Sequence, residues 1–222
     1  MSKKILILGD SHHPDADFDV LEQARIFAKE NKITHVVSTG DMLDQKAWSR
    51  YPKSPEDDSP ELEWEKAVKA CLEMSKMFPN MVILNSNHDR RYIKKASEAG
   101  LPKAMIRTLD ELIPVKGWKW HLGPNPYIID NIAFMHGDEL QGSVEAKVTR
   151  LGMNVVQGHT HKAELKYVCT FDKRLFGLDV GCTINPNGRS FDYASSSITK
   201  VWVGFGYIEN GVPHLIPKKA KK

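Results

Sequence analysis

Three short, almost wholly apolar runs mark the first half of the chain: Lys4–Asp10, His35–Asp41 and Met81–Asn85. Their length and texture predict strands, the first of them buried. Between the first two, Phe18–Lys29 places Phe18, Leu21, Ala24, Ile26, Phe27 and Ala28 at spacings that suit an amphipathic helix. Between the second and third, Glu61–Phe78 predicts a longer helix, with Ser59-Pro60 as its start signal. A further helical pattern, Tyr92–Leu112, is interrupted at Gly100-Leu101-Pro102. Such alternation predicts parallel strand pairing and an α/β class.

After residue 117 the pattern shortens. Trp118–Leu122, Tyr127–Ile129 and Ile132–His136 read as short strands, with Asp130-Asn131 as a turn. Ser143–Leu151 predicts one short helix and Asn154–Gly158 another strand. Lys162–Phe171 and Leu175–Val180 suggest a hairpin across Asp172-Lys173, and Lys200–Ile208 with Val212–Ile216 a second one across Glu209-Asn210-Gly211. Two polar stretches resist assignment, Gln45–Pro60 and Thr183–Ser197. Irregular segments of that length in a domain are often functional.

At 222 residues with 41% hydrophobic and 27% charged content, the chain fits one domain. The expected division is a domain over 1–216 and a basic, solvated tail over 217–222. The formal net charge of +3 neither demands nor excludes a nucleic-acid partner. No apolar run approaches a membrane span, and Ile5–Asp10 is too short for a signal peptide. Cys71, Cys169 and Cys182 form no paired framework and are expected to be buried thiols in a reducing compartment, which points to the cytoplasm.

Chemistry enters at the strand ends. Seven side chains of metal-binding type stand there: Asp10 and His12 in GDSH, Asp41 in GDMLD, Asn87 in NSNHD, His136 in MHGD, and His159 and His161 in GHTH. In extended backbone, residues two apart face one way, so Asp10 with His12, and His159 with His161, can each reach one ion. Asp41 offers two oxygens, enough to bridge two ions. The nitrogen and oxygen donors, without thiolate, suit Mn, Fe, Zn, Ni or Co better than an all-oxygen Mg or Ca cage. Two ions ~3.5–4 Å apart can clamp the attacking and leaving oxygens of a phosphate ester, and a water bridging them loses a proton near neutral pH. His88, next to Asn87, is the expected proton donor to the leaving group, with Asp44 holding its ring in one tautomer. His13, His35, His121 and His214 lack such partners and read as structural or exposed.

The order GDSH, GDMLD, SNHD, HGD and GHTH resembles the calcineurin-like metallophosphoesterase superfamily over residues 5–161. The resemblance implies a four-layer α/β/β/α sandwich, with the strands beyond 161 in its second sheet. It further implies that Asp10, His12 and His161 bind one metal, that Asn87, His136 and His159 bind another, that Asp41 bridges them, and that His88 is the catalytic histidine. Manganese is the first expectation for the metal. Gln45 and Asn85 stand where protein phosphatases of the superfamily carry arginines, which argues against protein dephosphorylation. Arg90 and Arg91 are candidates to compensate. Ser86 replaces the usual glycine and would be strained if the backbone there required positive φ. HGD followed by GHTH also resembles the UDP-diacylglucosamine pyrophosphatases of the superfamily, but those carry Arg where this chain has His88 and need an apolar lid that Gln45–Pro60 is too polar to form.

The expected function is therefore a metal-dependent phosphoesterase acting on a phosphodiester or small phosphomonoester. The expected partner is a phosphate-ester substrate, with nucleotides and single-stranded nucleic acid as candidates, and no membrane. A homodimer through the second sheet is left open. Trp48, Arg50 and Tyr51 are candidates to stack on a base and pair with phosphate; Arg189, Phe191 and Tyr193 invite the same reading with less force. The alternatives are a repair-type nuclease of the same superfamily and a non-catalytic metal-binding scaffold, against which an intact His88 argues.

Overall fold

The computed structural model describes residues 3–50, 52–190 and 201–220. Its strands are β1 (Ile5–Leu8), β2 (His35–Ser38), β3 (Met81–Leu84), β4 (Trp118–His121), β5 (Tyr127–Ile129), β6 (Ile132–Phe134), β7 (Asn154–Gln157), β8 (Ala163–Cys169), β9 (Arg174–Val180), β10 (Gly204–Glu209) and β11 (Val212–Pro217). Its α-helices are α1 (Phe18–Glu30), α2 (Pro60–Met77), α3 (Arg91–Glu98), α4 (Leu109–Leu112) and α5 (Val144–Leu151).

The period-two alternation of strand side chains builds the layers. In β1, Leu6 and Leu8 pack with Val20, Leu21 and Ala24 of α1 and with Met74 of α2. Ile5 and Ile7 face the other way, onto Phe134, Val156, Leu178 and Val180 of the second sheet. That sheet turns Ala133 and Val155 outward against Val144 and Val148 of α5. Helices, sheet, sheet and helix stack in that order, the four-layer α/β/β/α sandwich expected.

The first sheet runs β11-β10-β1-β2-β3-β4, the second β5-β6-β7-β9-β8. Strands β1 to β4 are mutually parallel, as the alternation predicts. The final hairpin does not join the second sheet: β10 pairs antiparallel with β1 and closes the first. It can do so because Phe205 enters the helix-side core while Ile208 enters the core between the sheets. Expected strand ends also retract. The first three strands stop at Leu8, Ser38 and Leu84, and the motif residues lie in the loops beyond.

Local signals behave as sequence chemistry dictates. The Asp17 carboxylate accepts from the amides of Asp19 and Val20 to cap α1. The Ser59 hydroxyl caps α2 with Pro60 in its first turn, and Gly152 at φ 62° ends α5. The 92–112 pattern breaks into α3, a 3₁₀ turn at Lys103–Met105 and α4. Asp130 and Asn131, at φ 48° and 61°, make the tight turn between β5 and β6.

Two expectations are corrected here. The start of the basic tail is docked rather than solvated, because Lys218 pairs with the Asp17 carboxylate and donates its amide to the Val203 carbonyl. Cys71 and Cys182 are buried, whereas Cys169, at the end of edge strand β8, is exposed. No helix among the described residues is long and apolar enough to cross a membrane.

Candidate metal centre

The loops after β1, β2, β3, β6 and β7 converge at one end of the two sheets. Main-chain bonds stitch them together: the amides of Ser11 and His12 both donate to the Asp41 carbonyl, at 3.1 and 2.8 Å. The His159 amide donates to Asp10 Oδ2 at 2.7 Å, which ties the GHTH loop to the GDSH loop. Close approach requires glycine at 158, where a Cβ would lie 2.4 Å from both Asp10 Oδ1 and Thr39 Oγ1.

All seven predicted ligand candidates meet here: six form two groups that share Asp41, and Asn87 joins the second through His136. Asp10, His12, Asp41 and His161 form one, and Asp41, His136 and His159 the other. His12 Nε2 lies 3.4 Å from Asp41 Oδ2 and 3.2 Å from His161 Nε2, which is itself 3.2 Å from Asp10 Oδ2. On the opposite side, His136 Nε2 lies 3.4 Å from Asp41 Oδ1, 2.9 Å from Asn87 Oδ1 and 3.1 Å from His159 Nδ1. Each oxygen of Asp41 therefore faces one cluster.

The extended geometry expected for the paired motifs is not what brings them together. His12, Asp41, His159 and His161 sit in left-handed backbone, at φ 46°, 46°, 70° and 56°. Such conformations are costly for residues with a Cβ and concentrate at functional sites. They turn each side chain inward immediately after its strand, which extended backbone would carry past the centre. Ser86, conversely, is not at positive φ and carries no such strain. Its hydroxyl donates to Asp89 Oδ2 at 2.7 Å, and Asp89 receives the amides of Met42 and Leu43, fixing the loop after Asp41.

Ring orientation is set from behind. His136 Nδ1 donates to the Thr39 carbonyl at 2.9 Å, and His12 Nδ1 lies 2.9 Å from Asp44 Oδ1, so each presents Nε2 to the centre. Asp44 was expected to orient His88 through its carboxylate. That carboxylate instead bonds chiefly to His12 and to Ser190 Oγ at 2.8 Å, with His88 Nδ1 farther off at 3.2 Å. The Asp44 main-chain carbonyl, 2.8 Å from His88 Nδ1, fixes the His88 ring.

A network that sequence reasoning missed supports the histidine loops. Lys147 Nζ, buried under the site, donates to the Gly137 carbonyl and to Gln157 Oε1, both at 2.6 Å. Gln157 Nε2 donates to Asp179 Oδ2, which also receives the Thr160 hydroxyl at 2.7 Å. The chain thus links the residue after His136 to the residue between His159 and His161. One signal was available: Lys147 falls between Val144 and Val148 on the buried face of α5. Burial pushes the Asp179 carboxyl up to about 7 despite donors from Thr160 and Gln157. The folded protein then keeps a proton that the unfolded chain releases near pH 4, so this group's contribution to stability falls as pH rises from about 4 to 7. Asp179→Asn should gain stability relative to the native protein between pH 5 and pH 8, by about 1 kcal/mol or more. Urea melts at both pH values measure this, and a pH-independent difference would contradict it.

The donor chemistry fits metal ions. Burial opposes the charged forms of His12 and His136, yet hydrogen bonds and attraction to Asp41, with Asp44 adding for His12 and Asp10 for His136, push both rings up to about 10. Burial would raise the carboxyls of Asp10 and Asp41, but the surrounding histidines hold both below the usual range. The carboxylates thus call for positive charge on both sides of Asp41, which protons supply when no metal is bound. In the remaining trio, His12, Asp44 and His88, both rings turn Nδ1 toward Asp44, the His12 ring to its carboxylate and the His88 ring chiefly to its carbonyl, so Asp44 orients rings there.

The layered architecture is the one that the resemblance to the calcineurin-like metallophosphoesterases led us to expect, and histidines and carboxylates able to hold metal lie beyond the strand ends. No family model matches the sequence. The chain is similar to the Gene 54 protein of Mycobacterium phage D29, with 24% identity over 244 residues that cover 98% of this chain and 93% of that protein. Among solved structures, it is similar to YfcE, a phosphoesterase from E. coli, with 15% identity, a TM-score of 0.47 and coverage of 96% and 92% of the two chains. It is also similar to Chaetomium thermophilum Vps29, with 13% identity, a TM-score of 0.48 and coverage of 93% and 84%. A metallophosphoesterase from Sphaerobacter thermophilus shows 14% identity, a TM-score of 0.42 and coverage of 93% and 83%.

Proposed function

We propose that the protein is a phosphoesterase working with two divalent metal ions, one held by Asp10, His12 and His161 and the other by Asn87, His136 and His159, with Asp41 shared. The observation that carries this reading is the division of donor groups between the two oxygens of Asp41. Bound there, divalent ions offset charge on phosphoryl oxygens and acidify an attacking water. The expected metal is manganese, with Fe, Zn, Ni or Co as alternatives.

The chain's own contribution to proton transfer centres on His88. Its Nδ1 faces a carbonyl, an acceptor only, and its Nε2 faces Arg91 Nη2 at 2.7 Å, a donor only. The neutral ring is therefore the Nδ1–H tautomer, with the Nε2 lone pair accepting from Arg91. Nε2 would carry a proton to a leaving oxygen once Arg91 turns from the ring to a bound phosphate; Asp41 Oδ2 lies 4.0 Å from Nε2. Arg91 also donates to the Asp44 carbonyl at 2.8 Å. Its guanidinium stands beside His88 and takes the phosphate-gripping role left open by Gln45 and Asn85. Arg90, the other candidate that the sequence offered for that role, is paired with Asp138.

Chelation should abolish hydrolysis of bis-p-nitrophenyl phosphate and of p-nitrophenyl phosphate, and added manganese should restore it. Turnover that persists at full rate after exhaustive chelation would end this reading. A scaffold without turnover is the alternative such a result would favour.

A further inference from the structure

A cleft of about 1030 Å³ opens from His88 and Asn87 toward solvent. That is at or beyond the upper size of sites for single small ligands, so the reacting phosphate would fill only its inner end. One wall is α3 with the residue before it and carries Arg90, Arg91, Lys94 and Lys95; the other is the loop after β2 and carries Trp48, Arg50 and Lys53. The only carboxylates among the lining residues are Asp44, at the floor, and Glu98, which pairs with Lys95 at 2.9 Å. Arg91 stands at the reacting end, and beside it Arg90 is paired with Asp138, which lies outside the lining. Lys94 and Lys95 lie one helical turn, about 5.4 Å, farther out. Positive charge therefore recurs along the cleft instead of gathering at one point. Lys53 and Lys94 have no carboxylate within ion-pair distance among the described residues.

The loop wall is built to stay open. Glu63 of α2 accepts the amides of Lys46 and Ala47 at 2.6 and 2.8 Å, and the Lys46 ammonium pairs with Asp57 at 2.7 Å. These bonds hold the short 3₁₀ turn at Lys46–Trp48 and leave the Trp48 indole 40% exposed on the cleft wall. A flat π-face beside a row of cations matches a chain of alternating bases and phosphates. Inorganic polyphosphate would use the cations and ignore the indole. A duplex would present stacked bases that Trp48 cannot reach.

We infer that this cleft binds single-stranded nucleic acid, with the strand's phosphates along α3 and a base on Trp48, leading a phosphodiester to the metal centre. The inference rests on the phosphoesterase reading for the reaction but not for the binding. The test is fluorescence anisotropy of a labelled twelve-nucleotide oligothymidylate with the metal-free native protein, its fold checked by circular dichroism. Binding should weaken about 50-fold between 50 and 200 mM salt if about four phosphates are contacted. Lys94→Glu/Lys95→Glu should weaken it by at least about tenfold, and Trp48→Ala by about tenfold, the effect of losing one stacked base. Equal affinity for a duplex of the same length would overturn the inference. So would unchanged binding in Trp48→Ala, or displacement of the strand by inorganic polyphosphate at equal phosphate concentration. Absence of strand binding beside metal-dependent aryl-ester turnover by the native protein would remove the cleft inference alone. Strand binding without such turnover would remove the enzyme reading alone.

Discussion

Replacing Asp41 with Asn should lower phosphoesterase turnover on the order of 10³-fold, the rate equivalent of the about 3–5 kcal/mol lost when a buried ionic cluster is broken. The substitution keeps the shape and removes one charge that both clusters use. An amide has one oxygen, so its NH₂ must face either His12 or His136, whose Nε2 atoms each lie 3.4 Å from the present carboxylate. A donor then points into one of the two metal positions. Metal content should fall along with turnover, which distinguishes this variant from one that disturbs substrate alone. Full activity with a full metal complement in Asp41→Asn would contradict a shared carboxylate.

His88→Ala should behave differently. Turnover should fall by about 10²–10⁴-fold for substrates with alkoxide leaving groups, the usual contribution of a positioned acid. The loss should shrink for p-nitrophenyl esters, whose leaving group departs without a proton. Metal content should stay unchanged, because His88 faces Asp44 and Arg91 and lies outside both donor groups that share Asp41. Equal losses on both substrate types would show that His88 supports the site's structure and does not transfer a proton. Retained turnover on alkyl esters would remove it from the reaction.

How much of this was legible beforehand divides along physical lines. Strand positions followed from apolar runs, and the placement of the seven donors followed from motifs that end those runs. The left-handed turns at His12, Asp41, His159 and His161 were not legible, because backbone sign is invisible in residues other than glycine unless their tertiary partners are known. The sheet chosen by β10 and β11 depends on which core their alternating faces enter, and hairpin chemistry alone does not decide that. Arg91 and Arg90 look alike as neighbours in sequence; only the turn into α3 sends one to His88 and the other to Asp138. Trp48 and Arg50 do stand on one cleft wall with His88 at its base. Tyr51, Phe191 and Tyr193, the companion aromatic candidates, lie outside the described residues, as does the start of the expected strand at Lys200.

The most direct measurement is an anomalous difference map from a crystal grown with manganese. Two peaks ~3.5–4 Å apart are expected, one against each oxygen of Asp41. A single peak, or peaks remote from Asp41, would contradict this expectation.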